Sequence, residues 1–453
     1  MRIFWFVVLL VAALGTAACQ REEPVPAPAP AGKLMAQIID SGFAGAHDSY
    51  NAVSSASDGR IYYVLSSYKP DAAARMFSYD PGPGKAQYLG DLSGAAGEKD
   101  AKSIVQGKSH VSFVESNGKL YFASHLGYYS IIDGMEKPGV PPPGMKPYAG
   151  GHFLAYDLAT RKFEDIATAP RHEGIITFNM DPRRARLYGL TWPTGRLIRY
   201  DLAKRELKDV GAVSEQGESG KGPTFRTICR SMSINPENGS VYFTTSDGVI
   251  HRYLYESETV ESVTGDDLKK DYFGQYDPST AGSMAYNWRQ TFWYGPEKAI
   301  YGVHGNSGYL FRFLTATETV EVLGRITSED SKRSGMFDQF SYGYLGFTLG
   351  PDGRTIYYLT GGPVYESGRR VRGKDSTAKG ESKGRENLHL VTWDIPDRTY
   401  TDHGPIFFAN GQRPTYVNSI AVGKDGSVYA LSRVSEDAHA RTDLIRIPPV
   451  IQH

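Results

Sequence analysis

The sequence predicts an all-β fold, a seven-bladed β-propeller, from three observations. The composition suits strands and turns, one hairpin motif bearing a tyrosine recurs seven times, and the last repeat stops one strand short. With 50 Gly, 26 Pro and 30 Tyr among 453 residues, the chain is rich in turn formers and in residues that favour pleated strands, and poor material for long helices. Its 40% hydrophobic content is enough to bury a large core. Fifty basic residues balance fifty acidic ones, so the global attraction of a nucleic-acid binder is missing and no nucleic-acid partner is expected.

Taken in order, the chain opens with Arg2 and an apolar run from Ile3 to Gly15 that is too short to span a bilayer comfortably. Small residues then lead to Cys19. The stretch Gly15-Thr16-Ala17-Ala18-Cys19 resembles the bacterial lipobox, with Thr16 where a leucine or branched residue is commoner. That resemblance implies a signal peptide over residues 1–18, export, and lipidation of Cys19, with Gln20 favouring the outer membrane. Residues 19–33 form a Pro/Ala-rich tether, expected to be extended. The lipid is the one membrane contact expected. Once Cys19 is acylated, only Cys229 remains, in an alternating run that reads as strand core.

The propeller is expected over residues 34–453. Tight turns at Asp58-Gly59, Asn117-Gly118, Pro182-Arg183, Asn238-Gly239, Pro296-Glu297, Asp352-Gly353 and Asp425-Gly426 each precede a strand with a tyrosine. Those tyrosines are Tyr62, Tyr121, Tyr188, Tyr242, Tyr301, Tyr357 and Tyr429. The mean spacing of about 61 residues accommodates one four-stranded sheet with its loops. A third strand follows with an aromatic near its end, as in Tyr79-Asp80, Tyr156-Asp157, Tyr253 and Phe313, and then a fourth. After Leu444 to Ile447 come two prolines and almost nothing more. Leu34 to Asp40 resembles a fourth strand and is predicted to complete the last blade, which closes the ring and removes exposed edges.

Loop length separates the two faces of such a ring. Connections between first and second strands, and between third and fourth, are uniformly short. The long insertions, including Gly127 to Gly151, Ser214 to Thr227 and Gly265 to Tyr286, fall between second and third strands or between blades. That is the expected functional face. His110, His125, His152 and His172-Glu173 are placed there on adjoining blades, with Tyr50, Trp192, Arg226, Arg230, Trp288, Arg289, Tyr344, Tyr416 and Arg433 around the rim. Arginine holds carboxylates in a fork, aromatic rings stack on sugars, and imidazole or phenol moves protons near neutral pH. The rim therefore suits an acidic polysaccharide or oligosaccharide. No cofactor is expected: His-X-His and His-Glu-X-X-His spacings are missing, although the histidines and Glu173 would be the ligands if a metal were held.

On these residues the chain resembles the bacterial seven-bladed propeller polysaccharide lyases, the ulvan, rhamnose-glucuronate and oligogalacturonate lyases. The likeness covers the fold and the export signal. His110 and His125 match a family arrangement in which a histidine opening an inner strand pairs with another at the end of the next strand. The resemblance implies β-elimination with His110 and His125 as base and acid. The family's Tyr and Arg of the following blade are replaced by residues near Ile175 and Thr191-Trp192, so Arg226 is assigned as carboxylate neutraliser, with Tyr128, Tyr129 or Arg196 as substitutes. His152, His172, Glu173, Tyr128, Trp192, Arg196, Arg230, Trp288, Arg289, Tyr344, Tyr416 and Arg433 are the expected substrate-binding set. Two other readings keep the same rim: a non-catalytic glycan-binding lipoprotein and an outer-membrane assembly scaffold. A monomer is expected.

Overall fold

In the computed structural model, the described residues are 32–451 apart from 133–134, 282, 330–331, 333–345, 364, 367–368, 371–385 and 435–440. The signal segment, Cys19, most of the tether and Tyr344 lie outside them. Seven four-stranded antiparallel units follow one another along the chain. The first is built from Val53–Ser55, Ile61–Leu65, Arg75–Asp80 and Lys85–Asp91, and the third from Gly174–Asp181, Arg186–Trp192, Arg196–Asp201 and Glu206–Ala212. The innermost strands of blades 3 to 7 and then 1 lie side by side in succession. Blades 1 and 2 are joined by Ser54, whose hydroxyl accepts from the Phe113 amide at 3.0 Å. This is a seven-bladed β-propeller.

The N-terminal strand, Leu34–Ile39, closes the ring as expected. It runs antiparallel to Thr442–Ile447, with Ile38 opposite Ile445. Its first half also pairs in parallel with the outer strand of blade 6, with Leu34 opposite Ile406. One strand therefore covers two sheet edges and fuses blades 6 and 7 into an eight-stranded sheet.

The recurring tyrosine has a packing reason. All seven are buried. In four cases the ring meets the third-strand aromatic of the next blade: Tyr429 with Tyr79 at 5.9 Å, Tyr62 with Tyr156 at 6.0 Å, Tyr188 with Tyr253 at 5.5 Å and Tyr242 with Phe313 at 5.7 Å. Such pairs contribute roughly 0.5–1.5 kcal/mol each beyond their buried area, and here they join blade to blade. In two blades the phenol finds its partner in its own turn: Tyr62 donates to Asp58 at 2.8 Å and Tyr301 to Glu297 at 2.7 Å. In these two blades the turn satisfies the one polar atom of the buried ring, whereas the hydroxyls of Tyr188, Tyr357 and Tyr429 are buried without a hydrogen-bond partner among the described residues. Cys229 is buried, its thiol donating to the Ser231 carbonyl. Among the described residues no helix is long and apolar enough to cross a membrane.

Candidate functional site

A cavity of about 140 Å³ opens on the face that carries the long insertions, room for on the order of ten waters or a ligand of similar size. Its lining comes from inter-blade loops, from loops between second and third strands, and from strand ends beside them. Tyr50, Lys108 and His110 approach the inner strands of blades 1 and 2. His125 follows the second strand of blade 2, Lys119–Ala123, and Trp192 ends that of blade 3. Tyr129 begins a small hairpin, Tyr129–Ile132 with Met135–Pro138, inside the insertion of blade 2. Glu218 and Arg230 lie on the entry to blade 4, and Arg289 on the first strand of blade 5.

The two histidines meet edge to face, ring centres 4.8 Å apart. His110 stacks on Tyr50 at 4.3 Å, and Trp192 sits edge-on to His125 at 5.5 Å. Burial pushes both imidazoles well below the ordinary histidine range. For His110 the next causes are His125, Lys108, Arg230 and Arg289; for His125 they are Lys108 and Arg230. Both rings are therefore neutral at neutral pH. Burial, with Arg230 nearby, also draws Arg289 down to about 10, so that guanidinium stays charged. Lys108 is buried, its ammonium 3.8 Å from the ring centre of Tyr68, 4.5 Å from Tyr129 and 5.1 Å from Tyr50. Three aromatic faces accommodate the charge where water cannot reach it.

One carboxylate organises the wall. Glu218 accepts from Trp192 Nε1 at 2.8 Å, from the Ile228 amide at 3.0 Å and from Arg230 at 2.7 Å. The hairpin is tied to the same turn, because Lys137 Nζ donates to the Glu218 carbonyl at 2.8 Å and the Ser219 carbonyl at 3.2 Å. Behind Tyr50, its hydroxyl meets that of Tyr416 at 2.8 Å. Arg433 lies over the Tyr416 ring and grips Asp48 with a two-pronged bond of 2.6 and 2.7 Å.

Of the residues expected from sequence, Tyr50, His110, His125, Tyr129, Trp192, Arg230 and Arg289 line the cavity, and Tyr416 and Arg433 support it from behind. The others are placed elsewhere. Arg226 donates to the Pro223 and Phe225 carbonyls and faces Glu215, so its own loop holds the guanidinium away from the lining. His152 is enclosed by Asp165 and Glu98, and His172 is exposed with Nδ1 on the Ala149 carbonyl. Glu173 accepts from Thr191 and Thr194, and Arg196 pairs with Asp209. Tyr128 packs against Gly139, and Trp288 is fully buried with its indole N–H on the Ser231 carbonyl. Two of the four histidines converge rather than all four. Among the described residues no group of three or more His, Cys, Asp or Glu is placed to hold a metal ion.

Sequence reasoning missed Lys108 and Glu218. Lys108 had a faint signal, since it shares strand parity with His110 two residues on. Glu218 had none beyond its place in a long insertion.

Fold and site together define the class: a seven-bladed propeller with a small, cationic and aromatic cavity on its long-loop face. No family model matches the sequence, and no curated protein matches it. Among solved structures the chain is similar to one from the mitotic checkpoint complex, at TM-score 0.50 and 12% identity, covering 98% of this chain and 99% of that one. A Bacteroides uniformis protein assigned as a 6-phosphogluconolactonase gives TM-score 0.41 at 11% identity, covering 78% of this chain and 83% of that one. The first likeness establishes the propeller fold and nothing of the chemistry.

Proposed function

We propose that this propeller takes uronate-containing glycans into the cavity and cleaves them by β-elimination. The observation that supports the reading is the neutral pair His110 and His125, ring centres 4.8 Å apart, in a cavity lined by three cations and two carboxylates. Elimination needs a base for the C5 proton, a cation against the uronate carboxylate, and a proton for the departing oxygen. A neutral imidazole is ready to accept. The C5–H bond breaks as its proton passes to nitrogen, the C4–O bond breaks as the C4=C5 double bond forms, and the imidazolium returns the proton to the oxygen. The enzyme ends the cycle in its starting state. Arg289 takes the neutralising part that the sequence reading gave to Arg226, and Trp192 and Tyr129 line the cavity where a sugar ring would lie. Export and an outer-membrane lipid anchor on Cys19 belong to the same proposal, supported by the N-terminal sequence, as does a monomeric state.

The test is a soluble chain starting at Lys33, incubated with a panel of uronate-containing polysaccharides while the ultraviolet absorbance of unsaturated uronate is followed. A rising signal that is lost in a folded His110→Ala variant is the expected result. Glycan binding without the signal would replace the lyase with a binding protein, and neither signal nor binding would leave the scaffold reading in its place.

A further inference from the structure

The imidazole of His125 occupies the space that a side chain at position 174 would fill. Gly174 is the first residue of the inner strand of blade 3, and a β-carbon there would lie 2.0 Å from His125 Nδ1 and 2.6 Å from Cε1. Its backbone is ordinary strand, paired with Trp192, so glycine is needed here for room and not for a left-handed conformation.

Nδ1 of His125 is buried and has no hydrogen-bond partner among the described residues. A neutral imidazole has one N–H and one bare nitrogen. Burying the N–H without an acceptor forfeits a bond that a donor can hardly do without, whereas under-satisfied acceptors are less rare. Nδ1 therefore carries the lone pair and Nε2 the hydrogen, which leaves an N–H as the edge available to the cavity.

We infer that Gly174 is a positioning residue that seats His125 as a fixed Nε2–H donor, so that His110 alone exchanges the proton while His125 holds a substrate oxygen. This rests on the proposed elimination. The C5 proton passes to the His110 imidazole and from there to the departing oxygen; His125 donates a hydrogen bond throughout and transfers nothing.

The test is a cycle of Gly174→Ala, His125→Ala and the double variant. Gly174→Ala alone is expected to lower the thermal midpoint, and removing the imidazole in the double variant to restore part of it. With substrate, Gly174→Ala should cost about 100-fold in kcat, the scale of a misplacement near 1 Å, and little further in the His125→Ala background. Nitrogen NMR of the native protein should show His125 as the Nε2–H tautomer. Additive midpoints, or an Nδ1–H tautomer at His125, would overturn the inference. Should Gly174→Ala fail to fold, a folded double variant supports the clash and an unfolded one removes it. If no glycan gives unsaturated uronate, the lyase reading falls, while the midpoints and the tautomer still decide the positioning role.

Discussion

His152 offers a test of the electrostatics that is independent of any substrate. Its Nδ1 lies 2.8 Å from Asp165 and its Nε2 3.0 Å from Glu98. Burial works against the charged ring, but the two carboxylates outweigh it and raise His152 to about 9. Against an unfolded value near 6.5, that is about 2.5 units, or about 3 kcal/mol at roughly 1.36 kcal/mol per unit. The Asp165 side chain is 39% exposed, so screening by water reduces the figure to about 2 kcal/mol. The sign follows from the raised folded value: the stabilisation is fully present below the unfolded value of about 6.5 and disappears as pH rises through about 9. His152→Gln keeps the size and removes the charge. Urea unfolding near pH 6 should find the variant about 2 kcal/mol weaker, with the difference closing near pH 10. An equal difference at both pH values would refute the ion-pair account, and so would none near pH 6.

Two other substitutions probe the cavity and the blade turns. Arg289→Met removes from the lining a buried cation that also donates to Asn418 Oδ1 at 3.5 Å. Calorimetric titration of the folded variant with uronate oligosaccharide should show affinity down by at least about tenfold; normal affinity would take Arg289 out of carboxylate recognition. Ala185, in the turn of blade 3, has φ 49° where other blades place a turn glycine, such as Gly239 at 76°. A left-handed β-carbon costs roughly 1–2 kcal/mol, so Ala185→Gly should stabilise the chain by about 1 kcal/mol after the added chain entropy, read as a higher urea midpoint.

What was legible in the sequence was whatever repeats. Seven tyrosines each three to five residues past a turn are a local pattern; all are buried, and four of them meet an aromatic ring of the neighbouring blade. The closing strand Leu34–Ile39 was legible because the last repeat lacked a partner for Thr442–Ile447. The site divides differently. His110 and His125 could be found because strand ends fix where they emerge. Arg226 and Arg289 both belong to rim positions, and the choice between them is made by the Pro223 and Phe225 carbonyls, which capture Arg226 in its own loop. Glu218 meets Trp192 across 26 residues and Arg230 across 12, and the folding back of that loop has no periodic signature. For His152, the partners Glu98 and Asp165 come from a loop and from a neighbouring strand, so the residue was visible and its enclosure was not.

The cavity histidines respond to pH in the opposite sense to His152, and this bears on the working range of the protein. His110 and His125 are held below the ordinary value, chiefly by burial, and so is His304 outside the cavity, at about 3. A depressed folded value means a stabilisation present above about 6.5 and lost as pH falls toward the folded value. In the proposed elimination the unprotonated ring is the active one, so the acid limb of the rate profile should lie below the 6.5 of a free imidazole. Lys108 is a named cause for both rings of the pair. Lys108→Met should therefore move that limb to higher pH, because the two imidazoles regain basicity when the neighbouring ammonium is gone. A limb that stays in place when Lys108 is replaced would mean that burial alone sets the pair, and that the three-tyrosine enclosure of the ammonium serves the substrate and not the base.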